Sequence, residues 1–97
     1  MLQLGKILPG RVREVGLARN IVIAQILAEA RNWIAISFGE ETAKRIILKS
    51  LVRGEMVMHT EYPALAQNLR LNEAELVRHI NSKFGGNILV RLRWDTN

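Results

Sequence analysis

The chain has 97 residues, of which 48% are hydrophobic and 24% are charged, a composition typical of one soluble globular domain. A chain of this length buries enough apolar surface for a single compact core, so we expect one domain over residues 1–97. No cysteine is present, which excludes a disulfide scaffold and any metal site built on thiolates. The formal net charge of +5 favours a polyanionic partner such as a nucleic acid.

The positive charge is concentrated in the second half of the chain. Residues 1–42 carry five lysines and arginines against four acidic residues, whereas residues 43–97 carry nine against five. The second half is therefore the part that we expect to face a polyanion. The same charge would also suit a small protein that is merely well solvated, because net charge reports on partners and solubility and not on fold.

Two helices are predicted in the first part of the chain. Apolar residues recur with weak helical spacing over 2–16, and Gly16 is a plausible end of this first helix. The second helix, 20–38, has the clearer pattern, with apolar residues at intervals of three and four. Asn20 can cap this helix, and Gly39 is its natural left-handed terminator.

Neither a secretion signal nor a membrane span is predicted. The N-terminal stretch MLQLGKILPG is too short and too interrupted for a signal peptide. The most apolar run, IVIAQILAEA, contains Gln25 and Glu29 and is shorter than the roughly 20 residues that cross a bilayer. We therefore expect a cytoplasmic protein without a membrane partner.

A change of hydrophobic period predicts a pair of strands next. The stretch 43–51, AKRIILKSL, is rich in β-branched and aliphatic residues, and 55–60, EMVMHT, follows as a second strand. The connection VRGE is short and supplies Gly54 for a turn that needs a positive φ angle. An antiparallel hairpin is therefore expected.

Residues 62–86 predict two short helices closed by two glycines. Apolar residues form two stripes, one at Tyr62, Leu65, Ala66 and Leu69 and one at Leu76, Val77, Ile80 and Phe84. Asn72 and Glu75 have the spacing of a capping box at the second helix, and Gly85–Gly86 can end it. A DNA-reading helix-turn-helix is disfavoured, because both stripes are needed to cover a sheet and glutamates at the second helix start would repel phosphates.

The stretch NILVRLRW, 87–94, alternates strictly and predicts a third strand. Its inward residues are expected to be Ile88, Val90, Leu92 and Trp94, and its outward residues Leu89, Arg91 and Arg93. The predicted order of elements is α-α-β-β-α-α-β. Three strands with one apolar face need helices laid across that face, so the expected fold is a two-layer α+β sandwich in which a three-stranded sheet packs on helices.

The face of the sheet left free by the helices is the first candidate binding surface. Its expected side chains are Arg45, Ile47 and Lys49 on the first strand, Glu55, Val57 and His59 on the second, and Leu89, Arg91 and Arg93 on the third. Such a face can neutralise phosphates and offers apolar contact to nucleobases or to a protein. The register of Trp94 turns its ring inward, so we expect no base stacking on the sheet.

The order and spacing of six segments carry a family resemblance. These segments are Trp33 late in the long helix, Gly39 after it, the strand IILKSL, the segment GEMVMHTEYPALAQNL, the helix ELVRHINSKFGG and the basic strand ILVRLRW. Together they resemble the DciA family of bacterial proteins, which is linked to loading or operating the replicative helicase. The order of elements also resembles that of a type II KH-like domain.

This resemblance covers nearly the whole chain and implies a non-enzymatic role in chromosome replication. It implies contacts with the replicative helicase and with single-stranded or fork-like DNA. A conventional KH domain has a GxxG loop between its core helices, where glycines let the backbone approach phosphates. This chain has the joint NLRLN, 68–72, at that place, so we expect no nucleotide clamp there. Many family members also carry a long basic extension, whereas three residues follow Trp94 here, so we expect either the folded module alone or a reduced version of it.

The residues that catalysis or metal binding would need are not grouped in the chain. Glu40 and Glu41 fall in a predicted loop without an obvious partner. His59 and His79 are each isolated, without the HxxxH or HExxH spacing of metal ligands. We therefore expect no enzymatic activity, no metal and no cofactor.

The predicted DNA contacts are the basic side chains of the hairpin, the helix joint and the last strand, namely Lys44, Arg45, Lys49, Arg53, Arg70, Arg91 and Arg93. Their expected role is to neutralise phosphates, which carries no sequence preference. Two alternatives remain open. One is an RNA-binding KH-like module, and the other is a protein-interaction domain that uses the aliphatic sheet face or an edge strand.

Overall fold

A computed structural model describes residues 12–95 of the chain. Its elements, in chain order, are α1 (Val12–Phe38), α2 (Glu40–Lys44), β1 (Ile47–Val52), β2 (Glu55–His59), α3 (Pro63–Leu71), α4 (Glu73–Phe84) and β3 (Arg91–Trp94). Helices of this part of the chain share one apolar core with one face of the three-stranded sheet. The predicted α+β class is confirmed, and the order of elements broadly matches the predicted one.

The sheet has the order β1-β2-β3, with β1 antiparallel and β3 parallel to the central strand β2. Arg53 and Gly54 join β1 to β2 with φ angles of 53° and 80°. Two positive φ angles are what a two-residue turn of type I′ requires, so the predicted hairpin is confirmed. A bulge between Leu48 and Ser50 shifts the pairing register at Lys49.

The long helix α1 begins earlier than the sequence predicts. It passes without a break through both Gly16 and Asn20, so the predicted helix end and the predicted N-cap at these residues are wrong. A glycine inside a helix costs only about 1 kcal/mol relative to alanine, which the tertiary packing of a long helix can offset. The predicted C-terminal end is confirmed, because Gly39 follows the helix with a φ angle of 103°. The predicted helical turns within 2–11 lie outside the described residues.

The short helix α2 replaces a predicted loop and the start of a predicted strand. Glu40 and Glu41 lie in its first turn, where acidic side chains interact favourably with the positive end of the helix dipole. Ala43 is buried in the core, and β1 begins at Ile47 instead of at residue 43. Ala43 and Ile46, the apolar residues at the start of the predicted strand 43–51, are therefore buried in the core before the strand begins.

The buried core draws on both layers of the fold. It includes Val22, Ile26, Ala30 and Ile34 of α1, Met56 and Met58 of β2, Leu69 of α3, Leu76 and Ile80 of α4, and Leu92 of β3. The stretch Asn20–Phe38 is long and apolar enough to cross a membrane by length and composition alone. No membrane span is expected from the sequence pattern, because its most apolar run, IVIAQILAEA, is shorter than this stretch. Core helices meet the same two criteria, and α1 buries one side chain per turn in this core.

The helices α3 and α4 meet at Asn72, so the predicted helix pair is confirmed. The predicted capping box is wrong, because the Asn72 side chain donates from Nδ2 to the Asn68 carbonyl oxygen at 2.9 Å and makes no capping bond to α4. Leu69 of the first predicted stripe is buried, but Tyr62 is 46% exposed and lies outside the core. Gly85 ends α4 in the left-handed region, as predicted.

The third strand is shorter than predicted, and its alternation starts later. Leu89 is 1% exposed and Val90 is 55% exposed, so the predicted outward position of Leu89 and the predicted inward position of Val90 are both wrong. The reason is Asn81 of α4, whose Nδ2 donates to the Leu89 carbonyl oxygen at 2.9 Å. Its Oδ1 accepts from the Leu89 backbone N–H at 2.8 Å. These two bonds hold the segment against α4 before β3 begins at Arg91.

Candidate nucleic-acid interface

The outer sheet face is the side of the sheet opposite the core. Cross-strand register assigns to it Ile47, Lys49, Ser50 and Val52 of β1, Glu55, Val57 and His59 of β2, Arg91 and Arg93 of β3, and Asp95 just after β3. Val57 lies at its centre and is only 8% exposed, although it does not belong to the core cluster. Side chains of the two flanking strands therefore cover the middle of this face, and its rim carries the charges.

Two predicted contacts, Arg91 and Arg93, are brought together by one acidic residue. Arg91 Nε lies 3.5 Å from Glu55 Oε2, and Arg93 Nη1 lies 3.5 Å from Glu55 Oε1. Both arginine side chains are more than 60% exposed, whereas the Glu55 side chain is 27% exposed. The carboxylate thus orients two guanidinium groups toward the same surface, through exposed ion pairs of the kind worth less than about 1 kcal/mol.

Lys49 is held more tightly than the arginines. Its Nζ lies 2.6 Å from Asp95 Oδ2. The Asp95 backbone carbonyl oxygen lies 2.9 Å from His59 Nδ1. Because a carbonyl oxygen can only accept, the imidazole carries its proton on Nδ1 in this arrangement. The positive charge of Lys49 is therefore balanced locally by Asp95.

Lys44 and Arg45 lie at the open end of the hairpin, opposite the turn. Lys44 Nζ is 3.9 Å from Glu41 Oε2, a loose pair in which both side chains are well exposed. Arg45 places its Cζ 5.1 Å from the centre of the Tyr62 ring, within the range of a cation–π contact. Neither residue belongs to β1, which begins at Ile47, so the predicted position of Arg45 on the first strand is wrong.

The last two predicted contacts, Arg53 and Arg70, lie apart from each other. Arg53 is exposed at the hairpin turn and has a φ angle of 53°, which is uncommon for a residue with a side chain. Arg70 is exposed in the last turn of α3, on the helical layer. No hydrogen bond or ion pair joins Arg70 to the outer sheet face within residues 12–95. Of the seven predicted residues, six thus lie on the outer sheet face or at one end of the hairpin, and Arg70 lies away from them.

Two acidic residues of the site, Glu55 and Asp95, could not be assigned a role from the sequence. The alternation of β2 puts Glu55 on the same side as His59, but the position of β3 next to β2 decides that two arginines reach it. Asp95 directly follows the predicted strand, and its side chain pairs with Lys49 of β1, on the far side of β2. The sequence shows the opposite charges of Glu55 and the two arginines, but the order of the strands is needed to place them side by side.

Within the described residues, the side chains form no group of three or more histidines or acidic residues that could hold a metal ion. A row of exposed guanidinium and ammonium groups can bind phosphate or carboxylate oxygens, and guanidinium groups can do so with two parallel hydrogen bonds.

A family model described as "Dna[CI] antecedent, DciA" matches residues 3–93, nearly the whole chain. The chain belongs to the DciA family. Family membership supports a helicase-loader-like adaptor role in DNA replication, and members of the DciA family are helicase loaders that are not known as enzymes. Neither a curated protein nor a solved structure matches the chain.

Proposed function

We propose that this DciA-family protein binds single-stranded or forked DNA through its outer sheet face and contacts the replicative helicase, in the cytoplasm at the nucleoid. One observation carries the DNA part, namely the row of cations from Arg53 at the turn through Arg91 and Arg93 to Lys49 and Arg45 at the open end. A strand rises about 3.3 Å per residue, so the row extends over roughly 15–20 Å and can follow several successive phosphates.

The pairing of the arginines with Glu55 supports exchange with phosphate. Exposed ion pairs contribute little free energy, so a phosphate can replace or share the carboxylate at small cost. Guanidinium groups match the oxygens of a phosphate with paired hydrogen bonds. Such contacts position a strand without reading its sequence. We therefore propose binding that depends on backbone charge.

A salt titration of single-stranded DNA binding tests this proposal. For each phosphate contact on a single strand, the slope of log K against log salt falls by about 0.7, so three or four contacts give a slope of roughly −2 to −3. A slope near zero would exclude phosphate contact by this row. Competition between DNA and RNA oligomers of matched sequence would separate the DNA adaptor from the RNA-binding alternative.

Neutralising the shared carboxylate should strengthen DNA binding. The change Glu55→Gln removes the negative charge that opposes phosphate between Arg91 and Arg93. We expect single-stranded DNA to bind about 3- to 10-fold more tightly at about 50 mM salt, comparable to one added phosphate contact. The matched control is Glu75→Gln, since Glu75 is exposed on α4 and carries the same charge. Equal effects of the two changes would indicate net charge and not this face.

The helicase part of the proposal is tested with purified replicative helicase and nuclease-treated samples. Co-elution of the two proteins without DNA supports a direct contact, whereas an association lost with nuclease indicates that DNA bridges them. A second candidate function, a module that binds only protein, is favoured by Ile47 and Val52, which leave about half of their surface exposed on β1. That candidate requires helicase binding with no measurable affinity for DNA.

A further inference from the structure

A pocket of about 250 Å³ lies at the open end of the hairpin. The end of α2, the start of β1, the end of β2 and the residues before α3 meet there. Its lining combines two cations, Lys44 and Arg45, with the exposed apolar surface of Ile47 and Tyr62. Cations beside an exposed aromatic ring are the combination that proteins use to bind an unpaired nucleotide.

Tyr62 is the exposed aromatic residue of this pocket. The Arg45 guanidinium lies over its ring at 5.1 Å, yet 46% of the residue stays exposed to solvent. Nearly half of the surface of Tyr62 therefore remains accessible after the cation–π contact has formed. Guanidinium planes and aromatic rings both stack on nucleobases. The Tyr62 ring and the Arg45 guanidinium are therefore two adjacent groups that can stack on a base, and the guanidinium also carries a positive charge.

The pocket is organised before any ligand arrives. Thr60 Oγ1 donates a hydrogen bond to the Arg45 carbonyl oxygen at 2.7 Å and accepts one from the Tyr62 backbone N–H at 3.2 Å. One hydroxyl thus ties the segment before β1 to Tyr62, the N-cap residue directly before α3. A binding site that is ordered in the free protein loses less conformational entropy on binding.

The charges of the pocket continue the row on the outer sheet face. Arg45 and Lys44 stand at the end of that row, past Lys49. Glu61 also lines the pocket and is exposed, so it opposes part of this positive charge. A strand that follows the phosphate-binding row toward the open end would bring its next nucleotide to Tyr62.

We propose that this pocket binds one unpaired base of single-stranded DNA, stacked on Tyr62, while Arg45 and Lys44 contact the flanking phosphate. The inference rests on the proposed function and adds a base-binding site to a surface that otherwise contacts only the backbone. Stacking tolerates every base because each has an aromatic face, so the site gives a preference for unpaired DNA without a preference for sequence.

The test compares an oligo-dT strand with an abasic oligomer of equal length, which keeps the phosphates and lacks the bases. Wild-type protein should bind oligo-dT more tightly than the abasic strand. The change Tyr62→Ala should weaken binding of oligo-dT by roughly 5- to 150-fold, the usual effect of losing one stacked base. It should leave abasic binding and the salt slope unchanged. Tyr62→Phe, which keeps the ring, should retain wild-type affinity for both strands.

Abasic binding by Tyr62→Ala also reports that the variant is folded, and only the backbone groups of Tyr62 take part in starting α3. Equal affinity of wild-type protein for the two strands would overturn the base-binding site and leave the proposed phosphate contacts intact. Equal loss of both strands in a Tyr62→Ala variant that keeps the wild-type circular dichroism spectrum would overturn it too, because the ring would then serve only to place Arg45.

Two other outcomes would bear on the proposed function and not on the base-binding site. Wild-type protein that binds neither strand would contradict the proposed function itself. Tighter binding of an RNA oligomer than of its DNA counterpart would contradict the assignment to DNA.

Discussion

Replacing both Arg91 and Arg93 with alanine should weaken the binding of single-stranded DNA by about 60-fold at about 50 mM salt. This magnitude follows from the loss of two phosphate contacts. Each contact contributes about 0.7 to the slope of log K against log salt, so between about 1 M and about 50 mM salt it strengthens binding by roughly 8-fold. The slope of log K against log salt should become shallower by about 1.4. Fluorescence anisotropy of a labelled oligomer, measured over a series of salt concentrations, gives both quantities.

A control of equal charge separates the outer sheet face from the rest of the surface. Arg78 and Lys83 lie on α4, and replacing both with alanine removes the same two positive charges. We expect this second double variant to bind DNA within a few-fold of wild type. If the two double variants lose affinity equally, binding is not located on the outer sheet face. Adding Glu55→Gln to the arginine double variant removes the carboxylate that the first change leaves without its cations, and should restore part of the affinity.

Replacing Asn81 with alanine should destabilise the domain by about 2–4 kcal/mol. The change removes two hydrogen bonds to the backbone of Leu89 and leaves a buried donor and a buried acceptor without partners. For a domain of this size each kcal/mol lowers Tm by roughly 4–8 °C, so we expect a decrease of about 10 °C or more. Urea unfolding followed by tryptophan fluorescence measures the free energy directly.

Asn87 provides the control for this prediction. It lies two residues before Leu89 and is exposed, so Asn87→Ala should change the free energy of unfolding by no more than about 0.5 kcal/mol. Asn81→Asp keeps the acceptor for the Leu89 N–H and loses the donor to its carbonyl oxygen, and should have an intermediate effect. A cost for Asn81→Ala as small as that for Asn87→Ala would mean that these hydrogen bonds do not hold the segment.

Elements with long, regular patterns could be predicted from the sequence, whereas those fixed by single distant contacts could not. The apolar spacing of 20–38 and of 73–84 predicts α1 and α4, because apolar residues at intervals of three and four form the single buried face of a helix. The stretch 87–94 alternates over its whole length, yet only its second half pairs with β2. The pattern of side chains could not indicate that Asn81, eight residues earlier than Leu89, would hold that residue's backbone.

The candidate site shows the same division. Arg91 and Arg93 lie on the sheet, as strand alternation predicts, and Arg53 lies at the hairpin turn. Lys44 and Arg45 come to the open end of the hairpin through the short helix α2, which the sequence pattern does not predict. The role of Glu55 depends on strand order, which no local pattern specifies. The spacing of Tyr62 with Leu65 and Leu69 predicts a place in the core, but Tyr62 is the N-cap residue before α3 and is 46% exposed.

The carboxylate of Glu73 has a consequence for how the sheet ends. Its Oε2 accepts the backbone N–H of Leu92 at 2.6 Å, on the side of β3 that faces away from β2. An acceptor from α4 thus occupies a place that the carbonyl oxygen of an added strand would need. On the opposite margin of the sheet, the bulge at Lys49 interrupts the regular ladder of β1. The edge strands of an open sheet can pair with the edge strands of other molecules, which leads to aggregation. Both edges of this sheet carry a feature that opposes such pairing.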